Sequence, residues 1–139
     1  MSEADTDFWQ SHSMKFLECA FRSDRHETVR RADGHGKKTG DCGDTVEFFI
    51  IVNKDRLQTI SYAVNGCMNT NACANAVIDL AENRTMDEVW EITPEMVSDY
   101  LETLPADHFH CAELAIGAFY LALADAKRNL KTGWKKAYR

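Results

Sequence analysis

Thr45 to Val64 reads TVEFFIIVNKDRLQTISYAV, and this stretch decides the fold class. Its two halves, TVEFFIIV over 45–52 and LQTISYAV over 57–64, are rich in the β-branched and aromatic residues that suit a pleated, half-buried surface. The tetrapeptide Asn53-Lys54-Asp55-Arg56 between them reads as a hairpin turn, which makes the halves antiparallel partners. Upstream, Glu27 to Ala32 (ETVRRA) is expected to add a short edge strand. Between that segment and the hairpin lies DGHGKKTGDCG, residues 33–43, which holds four of the seven glycines. So many residues free to take positive φ, with charges and no apolar pattern, predict a mobile loop. Earlier still, Phe8, Trp9, Met14, Phe16, Leu17 and Phe21 recur at spacings that suit an amphipathic helix.

Past Gly66-Cys67 the pattern turns helical. Asn69, Thr70 and Asn71 are the expected caps, Ala72, Ala76, Val77 and Leu80 the apolar face, and Asn83 marks the stop. MDEVWEI predicts a short helical turn. Thr93-Pro94 places an N-cap and then Pro at the first helical position, opening a helix to about Leu101. A last long helix is expected from Asp107 or His108 to about Leu130, with Leu114, Ile116, Phe119, Leu121 and Leu123 on its apolar side. The expected fold class is α+β: a small three-stranded antiparallel sheet packed against about five helices, as one domain over residues 1–139 with flexible tails at 1–7 and 131–139.

The chain has 139 residues, enough for an ordinary core that needs no disulfide or metal as a staple. Its net charge of −6 argues against nucleic acid, whose binders usually carry the opposite sign. The longest apolar run, Leu114 to Ala124, is bounded by acidic residues and falls short of the roughly 18 residues that a membrane span needs. MSEADTDFWQ lacks the basic start and apolar core of a secretory signal, so a soluble cytoplasmic domain is expected. The basic end, with Lys127, Arg128, Lys131, Lys135, Lys136 and Arg139, reads as the solvated end of a helix, and Trp134 and Tyr138 as residues ordered only by packing.

Five cysteines in a reducing compartment leave packing, metal binding or sulfur chemistry as their roles. Cys19, among Phe16, Leu17 and Phe21, reads as core, and Cys73 as packing on its helix's apolar side. The other three sit at element boundaries: Cys42 in Gly40-Asp41-Cys42-Gly43-Asp44, Cys67 where a strand gives way to a helix, and Cys111 in the first turn of the last helix after His108-Phe109-His110. A helix N-terminus stabilises an anion, so Cys67 and Cys111 are expected to have lowered thiol pKa values. No C-x-x-C is present, so zinc ribbons, thioredoxin-like pairs and ferredoxin-type clusters lack their local signature. Any site must be assembled from three distant segments.

Gly-Asp-Cys42-Gly-Asp44, then Gly66-Cys67, then Leu104-Pro105 leading into His110-Cys111, resembles the U-type iron–sulfur cluster scaffold family, the IscU-like proteins and the NifU N-terminal domain. The resemblance spans about residues 8–130 and implies a three-stranded antiparallel sheet with packed helices. It implies a non-enzymatic carrier that accepts persulfide sulfur from a cysteine desulfurase, binds iron, builds a [2Fe–2S] cluster and passes it to apo acceptor proteins. Residue by residue, it makes Cys42, Cys67 and Cys111 the cluster thiolates, Asp44 the labile fourth ligand, His110 an alternative ligand and Cys111 the persulfide acceptor. Soft thiolates with one harder oxygen make an exchangeable site. Leu104-Pro105-Ala106-Asp107-His108 lacks the second Pro and the Lys of the family's chaperone-read Pro-Pro-Val-Lys segment, which argues against that chaperone as a partner. Phe21-Arg22-Ser23-Asp24 replaces an Asn-Pro-Arg-Asn stretch, and Cys73 stands where small or hydroxyl residues are usual.

Two rivals follow from the same residues. One is a zinc-binding sulfur acceptor that activates a desulfurase, with Cys42, Asp44, Cys67 and Cys111 around tetrahedral zinc. The other is a Cys–His thiol enzyme with Cys111 as nucleophile. The enzyme predicts a closed pocket with a base on one sulfur; the scaffold predicts three sulfurs clustered at an exposed edge.

Overall fold

The computed structural model describes residues 12–132. Its elements are α1 (Met14–Phe21), β1 (Gly34–Thr39), β2 (Thr45–Asn53), β3 (Arg56–Asn65), α2 (Met68–Ala81), α3 (Met86–Val89), α4 (Pro94–Leu101) and α5 (Phe109–Thr132), with a 3₁₀ turn at Ala106–His108 leading into α5. The strands form one antiparallel sheet in the order β1-β2-β3. The hairpin is as expected: Asn53 pairs with Arg56, and Lys54 and Asp55 take φ of 52° and 65°, the left-handed pair that a two-residue turn needs to match strand twist. Val46, Phe48, Ile50, Ile60 and Tyr62 are buried in the core, and the Phe48 ring meets Phe119 of α5 edge-on.

The edge strand lies elsewhere than expected. Residues 27–32 form no strand; the glycine-rich segment expected to be a mobile loop supplies β1 instead. Burial alternates at its start, with Gly34 and Gly36 buried and His35 exposed, so the two glycines are inward-facing strand positions. A Cβ on Gly34 would lie 2.3 Å from the Ala122 carbonyl oxygen, and one on Gly36 would lie 2.3 Å from the Ala122 amide nitrogen. The glycines are there because the α5 backbone passes against β1, at Ala118, Ala122 and Ala126. By length and composition α5 could cross a membrane, yet 56% of its most apolar window is buried inside the protein.

The start of α2 also differs. Asn69, Thr70 and Asn71 do not cap it; the N-cap is Cys67 and the helix begins one residue later. Inside the helix instead, the Asn71 side chain joins that of Asn75 in donating to the carbonyls of Cys19, Ala20 and Arg22 and in contacting the Tyr62 hydroxyl, satisfying the last carbonyls of α1. This buried network fixes α1 on the first turns of α2. Elsewhere the local signals act as read. Thr93 caps α4 with Pro94 at its start, and Thr85 and Glu88 form a capping box on α3. α2 ends at Ala81, and Asn83 just beyond it takes φ of 69°.

Phe16 and Cys19 are buried in α1, whereas Met14 and Phe21, expected on the same apolar face, are exposed. Leu121 of α5 is also exposed. Cys73 packs in the core, and burial pushes its thiol pKa up. Phe8, Trp9, Trp134 and Tyr138 lie outside the described residues, as does the tail expected at 1–7; α5 itself continues through Thr132, inside the tail expected from 131.

Candidate metal centre

One end of the sheet gathers the residues in question. The register pairs Thr45 with Asn65, so the residues just beyond them, Asp44 and Gly66, meet across the β2–β3 ladder. Gly66 makes this possible: a Cβ there would lie 2.6 Å from the Asp44 carboxylate. Asp44 Oδ2 accepts from the Cys67 amide at 3.3 Å and from the Thr70 hydroxyl at 2.6 Å. Those bonds, the Thr70 one first, hold the Asp44 carboxyl below its usual pKa. Asp44 therefore supplies the acceptor at the N-terminus of α2 that Cys67, which makes no side-chain cap bond, does not.

The start of α5 closes the site from the other side. The Sγ atoms of Cys67 and Cys111 and a ring nitrogen of His108 all lie within 4.8 Å of one another. Thr70 Oγ1 is 3.4 Å from Cys111 Sγ and 3.6 Å from Cys67 Sγ. His110 Nε2 is 3.6 Å from Cys111 Sγ, and the His108 and His110 rings sit 5.7 Å apart. Two thiols, an imidazole and a neighbouring carboxylate, each from a different turn, form a soft-to-borderline donor set that fits a thiophilic transition metal or an iron–sulfur cluster.

The site residues expected from the sequence are placed unequally. Cys67 and Cys111 converge, with Asp44 bonded to the Cys67 amide and to Thr70, which touches both sulfurs, and His110 beside Cys111. Cys42 is outside this group. It sits exposed on the Gly40–Asp44 turn, lining an open cavity of about 580 Å³ with Lys38, Asp41, His110, Glu113 and Leu114. That turn is closed by the Gly40 amide donating to the Asp44 carbonyl and the Gly43 amide to the Gly40 carbonyl, with Gly43 at φ 90°. Two sulfurs, not three, are therefore together. Cys111 is fully buried, and despite its place in the first turn of α5 its thiol pKa is pushed up to about 11 by burial, not lowered by the helix end. The imidazole inside the group is His108, whereas the resemblance implied His110 as the histidine ligand. Thr70, read as a cap, is at the centre of the contacts; its hydroxyl three residues after Cys67 was the available signal.

The sequence matches the NifU-like N terminal domain family over residues 21–132. Among relatives, the chain is 31% identical over 102 residues to the iron–sulfur cluster assembly scaffold protein IscU 1 of Archaeoglobus fulgidus, covering 73% of this chain and 67% of the relative. It is 30% identical over 87 residues to the iron–sulfur cluster assembly scaffold protein IscU of Escherichia coli, covering 62% of this chain and 67% of that one. Among solved structures, the N-terminal part of a nitrogen-fixing NifU-like protein from Brucella abortus superimposes with a TM-score of 0.70 at 14% identity, over 91% of this chain and 99% of that one, a likeness of fold.

Proposed function

This chain belongs to the NifU-like N-terminal domain family, and on that premise we propose that it is a scaffold on which a [2Fe–2S] cluster is assembled and then handed to apo acceptor proteins. The observation that carries the reading is the meeting of Cys67, Cys111 and His108 at the sheet end where Asp44 and the Cys42 turn also lie. Thiolates of Cys67 and Cys111 bind iron strongly, and the iron in turn holds the sulfide. Asp44 supplies a hard and weaker oxygen, His110 an alternative nitrogen, and Cys42 a third thiolate carried on a glycine-flanked turn that can close over the cargo. Such a site holds metal as cargo.

Sulfur comes from a cysteine desulfurase. A thiolate of the chain attacks the outer sulfur of the donor's persulfide, forming a new S–S bond as the donor's S–S bond breaks and its thiolate leaves. Cys111 is the acceptor in this reading, and because it is fully buried the donor reaches it only after this edge of the fold opens. In this reading the chain is a carrier, not a turnover enzyme, and Cys111 lies against Thr70, His108 and His110 together and not against one base. Five free cysteines suit a reducing, cytoplasmic setting.

A second reading is favoured by the His108 nitrogen within reach of both sulfurs: the same set suits tetrahedral zinc, making the chain a zinc-binding sulfur acceptor that activates the desulfurase. Anaerobic incubation with iron, cysteine, a desulfurase and a thiol reductant, which supplies the two electrons that turn each persulfide's outer sulfur into sulfide, separates the two. The scaffold reading predicts visible sulfur-to-iron absorption with matched iron and sulfide in the wild type, and its loss in Cys67→Ala. No cluster in the wild type, or a normal and stable cluster in Cys67→Ala, contradicts it; bound zinc, no cluster and an accelerated desulfurase support the second reading.

A further inference from the structure

Thr70 is fully buried, and a buried hydroxyl is costly unless its hydrogen bonds are made. Helix capping does not account for it, because it is the third residue of α2 and the Asp44 carboxylate already takes the Cys67 amide. Its bond to Asp44 Oδ2, at 2.6 Å, has the length of a charge-assisted O–H···O⁻ contact, so the single hydroxyl proton goes to the carboxylate. The same hydroxyl has Cys111 Sγ at 3.4 Å as a second, weaker acceptor, and its oxygen lies 3.6 Å from Cys67 Sγ, whose thiol can donate to it. One side chain thus touches an oxygen and two sulfurs that arrive from three separate elements.

We propose that Thr70 is the positioning residue of this site: its hydroxyl ties the Asp44 carboxylate to the sulfurs of Cys67 and Cys111, so that a metal held by the two sulfurs finds the carboxylate fixed beside it. The inference rests on the metal-site reading above. Thr70 binds no metal itself; it holds the carboxylate by Oδ2, which also accepts from the Cys67 amide. Hydrogen bonds that orient a ligand of this kind are typically worth about 10- to 100-fold in metal affinity. A serine at position 70 keeps the hydroxyl, whereas valine keeps the shape and removes it.

The test is anaerobic titration of the metal-free full chain with cobalt(II) alone, read by thiolate-to-cobalt charge transfer in the near ultraviolet and by the ligand-field bands. Thr70→Val is expected to weaken binding about tenfold or more and change the ligand-field bands, while Thr70→Ser stays within about threefold of wild type. In an Asp44→Ala background, Thr70→Val should add little, because the carboxylate it positions is gone. Wild-type affinity in Thr70→Val, or losses from Thr70→Val and Asp44→Ala that simply multiply, overturns the proposal. If Thr70→Val fails to show the wild-type circular dichroism and melting behaviour, Thr70→Ala, which cannot overpack, is read by the same criteria. A wild-type chain that shows no thiolate–cobalt band overturns the metal-site reading and this inference with it; a wild-type band unaltered by the loss of the hydroxyl overturns this inference alone.

Discussion

Gly34 and Gly36, in the first half of the segment 33–43, leave no room for a methyl group against the α5 backbone, whereas Gly43, in the second half, has nothing within 4 Å of where one would sit. The first pair buys close contact between a strand and a helix; Gly43 instead supplies a φ of 90° in the turn that carries Cys42. Glycine content alone cannot separate these uses. The first seats the edge strand on α5, and the second shapes the exposed turn that carries Cys42.

The sharpest way to break this comparison is to add the methyl group at both places. Gly36→Ala must push a Cβ into backbone atoms at 2.3 and 2.5 Å that no rotamer change can relieve, so we expect a loss of about 3 kcal/mol or more in urea unfolding. Gly43→Ala pays only for the left-handed backbone, about 1 kcal/mol. Equal losses at the two positions would show that β1 is not packed as described.

Gly66→Ala comes next, near 2 kcal/mol, because its Cβ would collide with the Asp44 carboxylate and displace it from Thr70 and the Cys67 amide. Unlike Gly43→Ala, it should also weaken metal binding, which calorimetry with zinc on the two variants would compare directly.

The smallest effect at neutral pH concerns the buried thiols. Burial raises the Cys111 and Cys19 pKa values from 9.0 to about 11. Well below pH 9 these thiols are neutral in the folded and unfolded chain, so they make no difference. Between pH 9 and 11 the unfolded chain ionises where the folded one cannot, so stability of the metal-free protein falls as pH rises. Urea midpoints across that window should decline, and iodoacetamide should label exposed Cys42 well before Cys111. Equal labelling of the two would contradict the burial.

How much of this was legible depends on how local the signal was. The β2–β3 hairpin and the start of α4 rest on neighbouring residues, Asn53 to Arg56 and Thr93-Pro94, and both form as read. β1 was hidden because its inward positions are glycines, whose strand role exists only once Ala118, Ala122 and Ala126 of α5 lie against them. The motifs around Cys42, Cys67 and Cys111 all fall at one end of the sheet. They could not show that Cys42 stands apart on its exposed turn, that His108 enters the group, or that Thr70 joins Asp44 to both sulfurs. Those facts depend on the Thr45–Asn65 register and on the 3₁₀ turn before α5, contacts between segments far apart in the chain. The lowered Cys111 pKa expected from its helix end gave way to desolvation, the larger effect for a sulfur with no exposed surface.

The central claim is that metal and sulfide are cargo here, and transfer tests it most directly. The chain carrying a reconstituted cluster would be mixed anaerobically with an apo-ferredoxin, and the visible circular dichroism followed as the two are separated. The account predicts that the ferredoxin spectrum appears while the chain returns to its colourless, metal-free form. A cluster that stays on the chain while the ferredoxin remains empty would contradict it.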